Sequence, residues 1–167
     1  MIEIHASSTM EKIVEKFSER EVGLPDVLIS RLARGFAKIG PCLFLSSSVD
    51  DDVCSVMQHS PPKDPPYHEY TFNKAHIEDA VDIDLFAVSY CYALSIAKLV
   101  EANVGLSVDV IFACHPTTEF GPQAIVTFYQ AGFSPVIDVG QLDSFAEPIL
   151  VFRVKGDLQA IDCALSA

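Results

Sequence analysis

Residues 108–133, with the sequence VDVIFACHPTTEFGPQAIVTFYQAGF, decide the fold of this chain more than any other stretch. The stretch begins with β-branched and aromatic residues, which favour a strand over 107–114. A polar loop follows, and the apolar residues beyond it predict a short helix over 122–131. Two further strands are predicted over 135–139 and 148–154. Strands and helices therefore alternate in this half, as in a mixed α/β or α+β sandwich around one central sheet.

The N-terminal part of the chain adds further elements. The pattern predicts a strand over 2–5, a helix over 9–20, a helix from Asp26 to near Gly40, a buried strand over 42–45 and an edge strand over 67–72. Four prolines within residues 60–66 indicate a stiff, extended loop. Asp84 is a good N-cap for a central helix over 85–102. We therefore expect one three-layer domain over 1–167, with a mainly antiparallel sheet flanked by helices.

Composition places the chain among globular proteins. It has 167 residues, of which half are hydrophobic and 20% are charged, which suits a single domain with a real core. The longest apolar stretch, 85–100, is shorter than the roughly 20 residues that span a bilayer, so we expect no membrane span. The five cysteines form no CxxC pair and no signal peptide precedes them. These features predict reduced thiols in a cytoplasmic, bacterial protein.

Negative charge is the second informative feature. The net charge is −12, and residues 41–84 carry nine acidic and two basic residues. A field of this sign repels the phosphates of nucleic acids, so we expect no nucleic-acid partner. It favours encounter with a basic protein, although plain solubility explains the same composition.

The C-terminal half resembles the GNAT superfamily of acyltransferases. In that family a strand ends near a His-Pro pair, as at His115-Pro116, and a short helix closes on Gly-Phe, as at Gly132-Phe133. Residues 77–82 match the family's strand before the acyl-CoA loop. The likeness covers 75–154, and residues 1–74 would supply the N-terminal helices and strands. It implies a GNAT-like scaffold and, where activity is kept, transfer of an acyl group from acetyl-CoA or another acyl-CoA to an amine.

The resemblance also implies where such an enzyme would carry its chemistry. Phe128 stands where the family usually has a tyrosine that protonates the departing thiolate, so the neighbouring Tyr129 is the candidate acid. Glu69 or Glu78 would relay a proton from the amine. The cofactor would lie against five residues, which are Val81, Asp82, Val88, Ser89 and Tyr90.

One departure from the family decides against this activity. The family binds the pyrophosphate of coenzyme A with a glycine-containing loop that also carries Arg or Gln. The matching residues 87–92 contain neither glycine nor a basic side chain, and Asp79, Asp82 and Asp84 would repel a diphosphate. We therefore expect no cofactor, with acyl-CoA as the alternative.

Two other groups of residues allow a chemical interpretation that their spacing disfavours. Cys114 and His115 are adjacent, and adjacent residues of a strand point to opposite faces, so a thiol nucleophile with its base is not expected. His59, His68 and His76 match no short zinc pattern, so we expect no metal site.

The resulting hypothesis is an acidic, non-catalytic protein that binds a basic protein partner, as bacterial immunity proteins cover the basic active sites of toxins. Carboxylates there would steer association. The expected partner-binding residues are Asp50, Asp51, Asp52, Asp64, Tyr67, Glu69 and Tyr70. The aromatic edge strand at 67–72 could also pair with a second copy of the chain, so a homodimer is possible.

Overall fold

The computed structural model describes residues 1–17, 22–50, 53–55, 57, 63–119, 121–131 and 136–156. Its strands are β1 (Ile2–Ala6), β2 (Phe36–Ile39), β3 (Cys42–Leu45), β4 (Ala75–His76), β5 (Val108–His115), β6 (Gln123–Gln130) and β7 (Ile149–Val154). Its helices are α1 (Ser8–Val14), α2 (Asp26–Ala33), α3 (Pro65–Phe72) and α4 (Leu85–Asn103), and short 3-10 turns lie at Ser46–Ser48, Ile77–Asp79 and Val139–Ser144.

The main sheet has the strand order β1-β7-β5-β6-β4, and its neighbouring strands are antiparallel. β5 lies at the centre and pairs with β6 from Val108 opposite Gln130 to His115 opposite Gln123. β2 and β3 form a separate hairpin. The predicted class, a mixed α+β protein with a mainly antiparallel sheet, is thereby confirmed.

The long helix α4 packs across one face of this sheet. Tyr92, Ile96 and Val100 of the helix are buried in one core with Phe112 and Phe128 of the sheet. By length and by its mean hydropathy of 1.4, α4 could also span a membrane. In this structure it occupies the position of a core helix, as its nearly continuous apolar sequence predicts.

The opposite face of the sheet carries a second, smaller core. Ile111, Tyr129 and Val151 are buried there under Ile137, which belongs to the segment before β7. Because successive strand residues point to opposite faces, Phe128 faces α4 whereas Tyr129 faces away from it.

The predicted edge strand over 67–72 is wrong, because these residues form most of α3. Pro65 and Pro66 occupy the first turn of the helix, where a missing N–H removes no helical hydrogen bond and the fixed φ suits the helix. Prolines that suggest an extended segment here start a helix instead. No strand edge is available at 67–72, so a homodimer would need another surface.

Two predictions in the stretch 108–133 and beyond it also fail. The helix expected over 122–131 is β6, in which Ala124, Val126 and Phe128 alternate with residues of the other face. The strand expected over 135–139 is not formed by its described residues, since Asp138 accepts a hydrogen bond from the N–H of Gly140 and starts a 3-10 turn.

Both N-terminal helices are shorter than predicted. α1 begins as expected, with the Ser7 hydroxyl capping the N–H of Met10, but it ends at Val14. α2 ends at Ala33 because Gly35 has a φ of 65°, a left-handed value that breaks the helix. The residues after this glycine form β2. The predicted strands at the positions of β1, β3, β5 and β7 are confirmed, as is α4.

Candidate functional site

Three of the expected partner-binding residues lie on the outside of α3 and beside it. Asp64 is exposed at the start of the helix, and Tyr67 is 60% exposed on its first turn. Asp50 is exposed and shares the wall of a pocket with Thr71, near the end of the helix. An exposed aromatic ring and two exposed carboxylates thus belong to α3 and the residues beside it, and we call Asp50, Asp64 and Tyr67 the α3 surface.

Of the other four expected partner-binding residues, the structure describes two, and neither of these joins this surface. Asp51 and Asp52 lie outside the described residues. Tyr70 is half-buried and packs against the second core, and burial, together with the nearby Glu147 carboxylate, raises the pKa of its hydroxyl. Glu69 is fully buried, so a partner cannot reach it.

Glu69 instead joins two sheets from inside the protein. Its carboxylate accepts hydrogen bonds of 2.6 Å from the backbone N–H groups of Leu43 in β3 and Gln130 in β6, and another from the side-chain amide of Gln130. Burial raises the pKa of Glu69, although these donors oppose that effect. The residue therefore has a structural role that the sequence pattern did not reveal.

Asn73 makes the same connection one helical turn later. Its side-chain oxygen accepts from the N–H of Leu45 at 3.1 Å, and its amide nitrogen donates to the carbonyls of Leu43 and Phe128. The two side chains thus satisfy backbone groups that strand pairing leaves free on β3 and β6. The spacing of four residues between Glu69 and Asn73 places both side chains on the face of α3 that meets the two sheets.

Tyr129, the candidate catalytic acid, belongs to a buried polar network. Its hydroxyl donates to Asp109 at 3.2 Å and accepts from the N–H of Ile137 at 3.1 Å. Arg153 holds the same Asp109 through two hydrogen bonds of 2.8 and 2.7 Å. Burial is the main reason that the pKa of Tyr129 rises to about 12, and the bonds to Asp109 raise that of Arg153.

The network lies on the sheet face away from α4, as the alternation along β6 requires. Asp109 and Arg153 are directly opposite each other on β5 and β7. Single charges of opposite sign inside two apolar strands were the sequence signal for this pair. A buried tyrosine in a filled hydrogen-bond network is placed to hold the sheet together.

Glu78 lies elsewhere again, at the end of β4. Its carboxylate accepts from the N–H of Ala124 at 3.0 Å and lies 3.1 Å from the ring of His76. Burial acts to raise the pKa of Glu78, but the hydrogen bonds to its charged form outweigh burial and lower it. The three residues expected to carry catalysis, which are Tyr129, Glu69 and Glu78, are therefore each engaged in separate structural contacts.

The residues expected to hold a cofactor are only partly accessible. Val88 and Ser89 are buried in α4, where the Ser89 hydroxyl donates to the carbonyl of Leu85 at 2.7 Å. Tyr90 is half-buried and packs edge-on against Phe17 and Phe152. Val81 is half-buried, whereas Asp82 is exposed. The strand that the resemblance places over 77–82 is absent, because these residues begin with a 3-10 turn.

A cleft of about 680 Å³ lies beside these residues, between α1, the start of α4 and the loop after β5. We call it the α4 cleft. Its wall is mostly apolar and includes Ile13, Phe17 and Phe86. Lys12 on α1 and Lys16 just after it line the cleft on one side, while Asp82 and Asp84 line it just before α4. Its volume falls within the range of small-molecule sites.

The residues considered for nucleophilic or metal chemistry do not form a shared site among the described residues. Cys114 is buried, and burial raises the pKa of its thiol to about 12, so it is a poor nucleophile. His115 faces Glu147 at 3.1 Å. The described residues contain no group of three His, Cys, Asp or Glu side chains that could hold a metal ion, and His59 lies outside them.

Comparison of the chain with protein families, with curated proteins and with solved structures gives no match. The candidate sites therefore rest on their own geometry.

Proposed function

We propose that this protein binds a basic protein partner without catalysis, in the manner of an inhibitor or immunity protein. The proposal includes a scaffold with GNAT-like layers. The observation that carries it is the α3 surface, which combines the exposed ring of Tyr67 with the exposed carboxylates of Asp64 and Asp50. Exposed tyrosines are frequent energetic centres of protein interfaces.

Electrostatics supports the same proposal. A chain with a net charge of −12 attracts a basic surface over distances of about one Debye length, roughly 8 Å at physiological salt. Charges at the rim of an interface act mainly on the rate of association. The carboxylates of the α3 surface would therefore speed the encounter, while the ring of Tyr67 would slow dissociation.

The positions of the catalytic candidates argue against an enzyme. Tyr129 lies on the sheet face away from α4, whereas Asp82 lies at the start of that helix. The tyrosine would therefore need to act through the sheet to reach a cofactor in the α4 cleft. Its hydroxyl is already engaged with Asp109 and Ile137.

The test compares two double charge reversals that change the net charge equally. Asp50→Lys with Asp64→Lys alters the α3 surface, and Glu11→Lys with Glu15→Lys alters exposed carboxylates on and after α1. A partner is first captured from source-cell lysate at low salt and identified by mass spectrometry. We expect the α3 pair to slow its association about tenfold or more and the α1 pair to slow it far less. Equal effects of the two pairs would refute the α3 assignment.

One observation favours a second function, transfer of an acyl group from acyl-CoA. The α4 cleft lies at the N-terminal end of a long helix and carries Lys12 and Lys16, which suit the phosphates of a cofactor. Asp82 and Asp84 on the facing wall oppose such binding. Melting-temperature measurements with acetyl-CoA and longer acyl-CoAs test it, because a ligand of the native state raises the Tm. No shift at millimolar acyl-CoA would exclude it.

A further inference from the structure

A polar pocket of about 430 Å³ lies on the opposite side of α3 from the sheet connection described above, bounded by α2, the turn after β3 and the end of α3. We call it the polar pocket. Charged and hydroxyl-bearing side chains dominate its lining, and they are Arg31, Ser47, Ser48, Asp50, Thr71 and Lys74. This lining is unlike the apolar wall of the α4 cleft and points to a polar ligand.

Positive charge exceeds negative charge among these residues. Arg31 and Lys74 come from separate elements, and within the part of the chain that the structure describes neither lies within ion-pair distance of a carboxylate. Lys74 rests over the ring of Tyr70 at 5.2 Å. The one carboxylate of the lining, Asp50, accepts the N–H of Val53 at 2.9 Å. In a strongly acidic protein, two cations converge here on one concavity.

Ser47 supplies an independent observation. Its hydroxyl oxygen is inaccessible to water and meets no hydrogen-bond partner within the described residues. A buried hydroxyl without a partner costs about 1–3 kcal/mol, so such groups usually have one. Thr71 already donates to the carbonyl of Tyr67 at 2.9 Å, which leaves the hydroxyls of Ser47 and Ser48 as donors for a ligand. Because the Ser47 oxygen is sealed from water in this conformation, its side chain must rotate about the Cα–Cβ bond to reach that ligand.

These donors match one class of ligand. Arg31 offers a planar set of N–H groups, Lys74 a point charge and Ser47 a hydroxyl, and a tetrahedral oxyanion accepts from all three. We propose that the polar pocket binds an oxyanion of the phosphate-monoester class. This proposal goes beyond the partner-binding function, because it concerns the cations Arg31 and Lys74, although Asp50 belongs both to the α3 surface and to the pocket lining.

The test is a titration of the full chain with inorganic phosphate at fixed pH and fixed ionic strength, followed by backbone amide NMR shifts. We expect saturable shifts at Ser47, Ser48 and Lys74. Arg31→Gln and Lys74→Gln should each weaken phosphate binding about tenfold, since a charge-assisted hydrogen bond contributes roughly one such factor. Lys98→Gln, an exposed cation on α4, is the matched control and should leave binding unchanged.

Two outcomes would overturn the proposal. One is an absence of saturation up to tens of millimolar phosphate, and the other is equal weakening by Lys98→Gln and by the pocket variants. Titration with glycerol phosphate and with sulfate then separates a phosphate ester from oxyanions in general. Arg31 and Lys74 are exposed, so both variants should fold, and circular dichroism of each checks this.

Discussion

At the scale of single residues, Glu69 shows how a charged residue can belong to the core. Its carboxylate receives two backbone N–H groups from two different sheets and the amide of Gln130. A surface role for this residue would follow from its acidic sequence neighbourhood, since residues 41–84 are so strongly negative. The structure instead makes it a connector, because its helix lies between the edges of β3 and β6.

We predict that Glu69→Ala lowers the free energy of unfolding by at least about 3 kcal/mol, because it leaves the N–H groups of Leu43 and Gln130 buried without acceptors. Tyr67→Ala, on the exposed side of the same helix, should change stability by less than about 1 kcal/mol. Urea denaturation measures both. Similar losses in the two variants would contradict the connector role.

Glu78 leads to a prediction on acid stability. Its folded-state pKa lies below its ordinary value of 4.5, so its contribution to stability is present above that value and is lost as the pH falls through the lowered folded pKa. The difference in unfolding free energy between the wild type and Glu78→Gln should therefore shrink as the pH falls from 6 through 4.5 and below. A difference that stays constant over this range would show that the carboxylate charge is not involved.

At the scale of elements, opposite charges brace the centre of the sheet. Arg153 on β7 holds the buried Asp109 on β5, which also receives the hydroxyl of Tyr129 from β6. Removing the guanidinium would leave an uncompensated carboxylate in the protein interior. Breaking a buried ion pair in this way lowers the free energy of unfolding by more than the loss of a surface ion pair does.

We predict that Arg153→Met lowers the free energy of unfolding by about 3 kcal/mol. Lys155→Met is the matched control, because Lys155 follows two residues later and pairs with Glu3 at the surface. Its loss should cost about 1 kcal/mol or less. Chemical denaturation compares the two, and a larger loss for Lys155→Met would reverse this account of the sheet.

The end of β7 gives another prediction at this scale. A Cβ added at Gly156 would lie 2.3 Å from the carbonyl oxygen of Gly105, in the turn after α4. Gly156→Ala should therefore cost about 1–3 kcal/mol by displacing that turn. Gly23→Ala meets nothing within 4 Å and should be near neutral. Thermal unfolding of the two variants checks the difference, and equal Tm values would contradict the close approach.

The same elements show what the sequence could predict. The sequence was sufficient to predict α4 and the strands β1, β3, β5 and β7. Each is a run of residues whose own composition determines whether it forms a helix or a strand. α3 was missed because its prolines stand in the first helical turn, where they are harmless. β6 was missed because the spacing of its apolar residues fits the period of a helix as well as that of a strand. Pairing with β5 decides in favour of the strand.

The candidate site was harder to predict from the sequence than the fold was. Asp64 and Tyr67 reach the surface as expected, but Glu69 and Tyr70 are turned inward by the packing of α3 on β6. The convergence of Arg31 and Lys74 depends on the arrangement of α2, α3 and the turn after β3, which no local pattern encodes. Contacts between distant segments therefore account for most of what sequence reasoning did not supply.

At the scale of the whole molecule, an acidic surface and a pocket with two cations lie beside each other. The sheet and α4 form a core that leaves the α3 surface acidic and outward-facing, while the polar pocket gathers cations nearby. A partner with a basic surface would meet Asp50, Asp64 and Tyr67 first. Salt should weaken this encounter, since ions screen exposed charges.

The rate at which the captured partner associates with the wild-type protein, measured as salt is raised, is the sharpest test of binding through the α3 surface. We expect a rate that falls steeply with salt, and a shallower fall for Asp50→Lys with Asp64→Lys than for Glu11→Lys with Glu15→Lys. A rate that is independent of salt, or an unchanged salt dependence in the α3 variant, would contradict binding of a basic partner through the α3 surface.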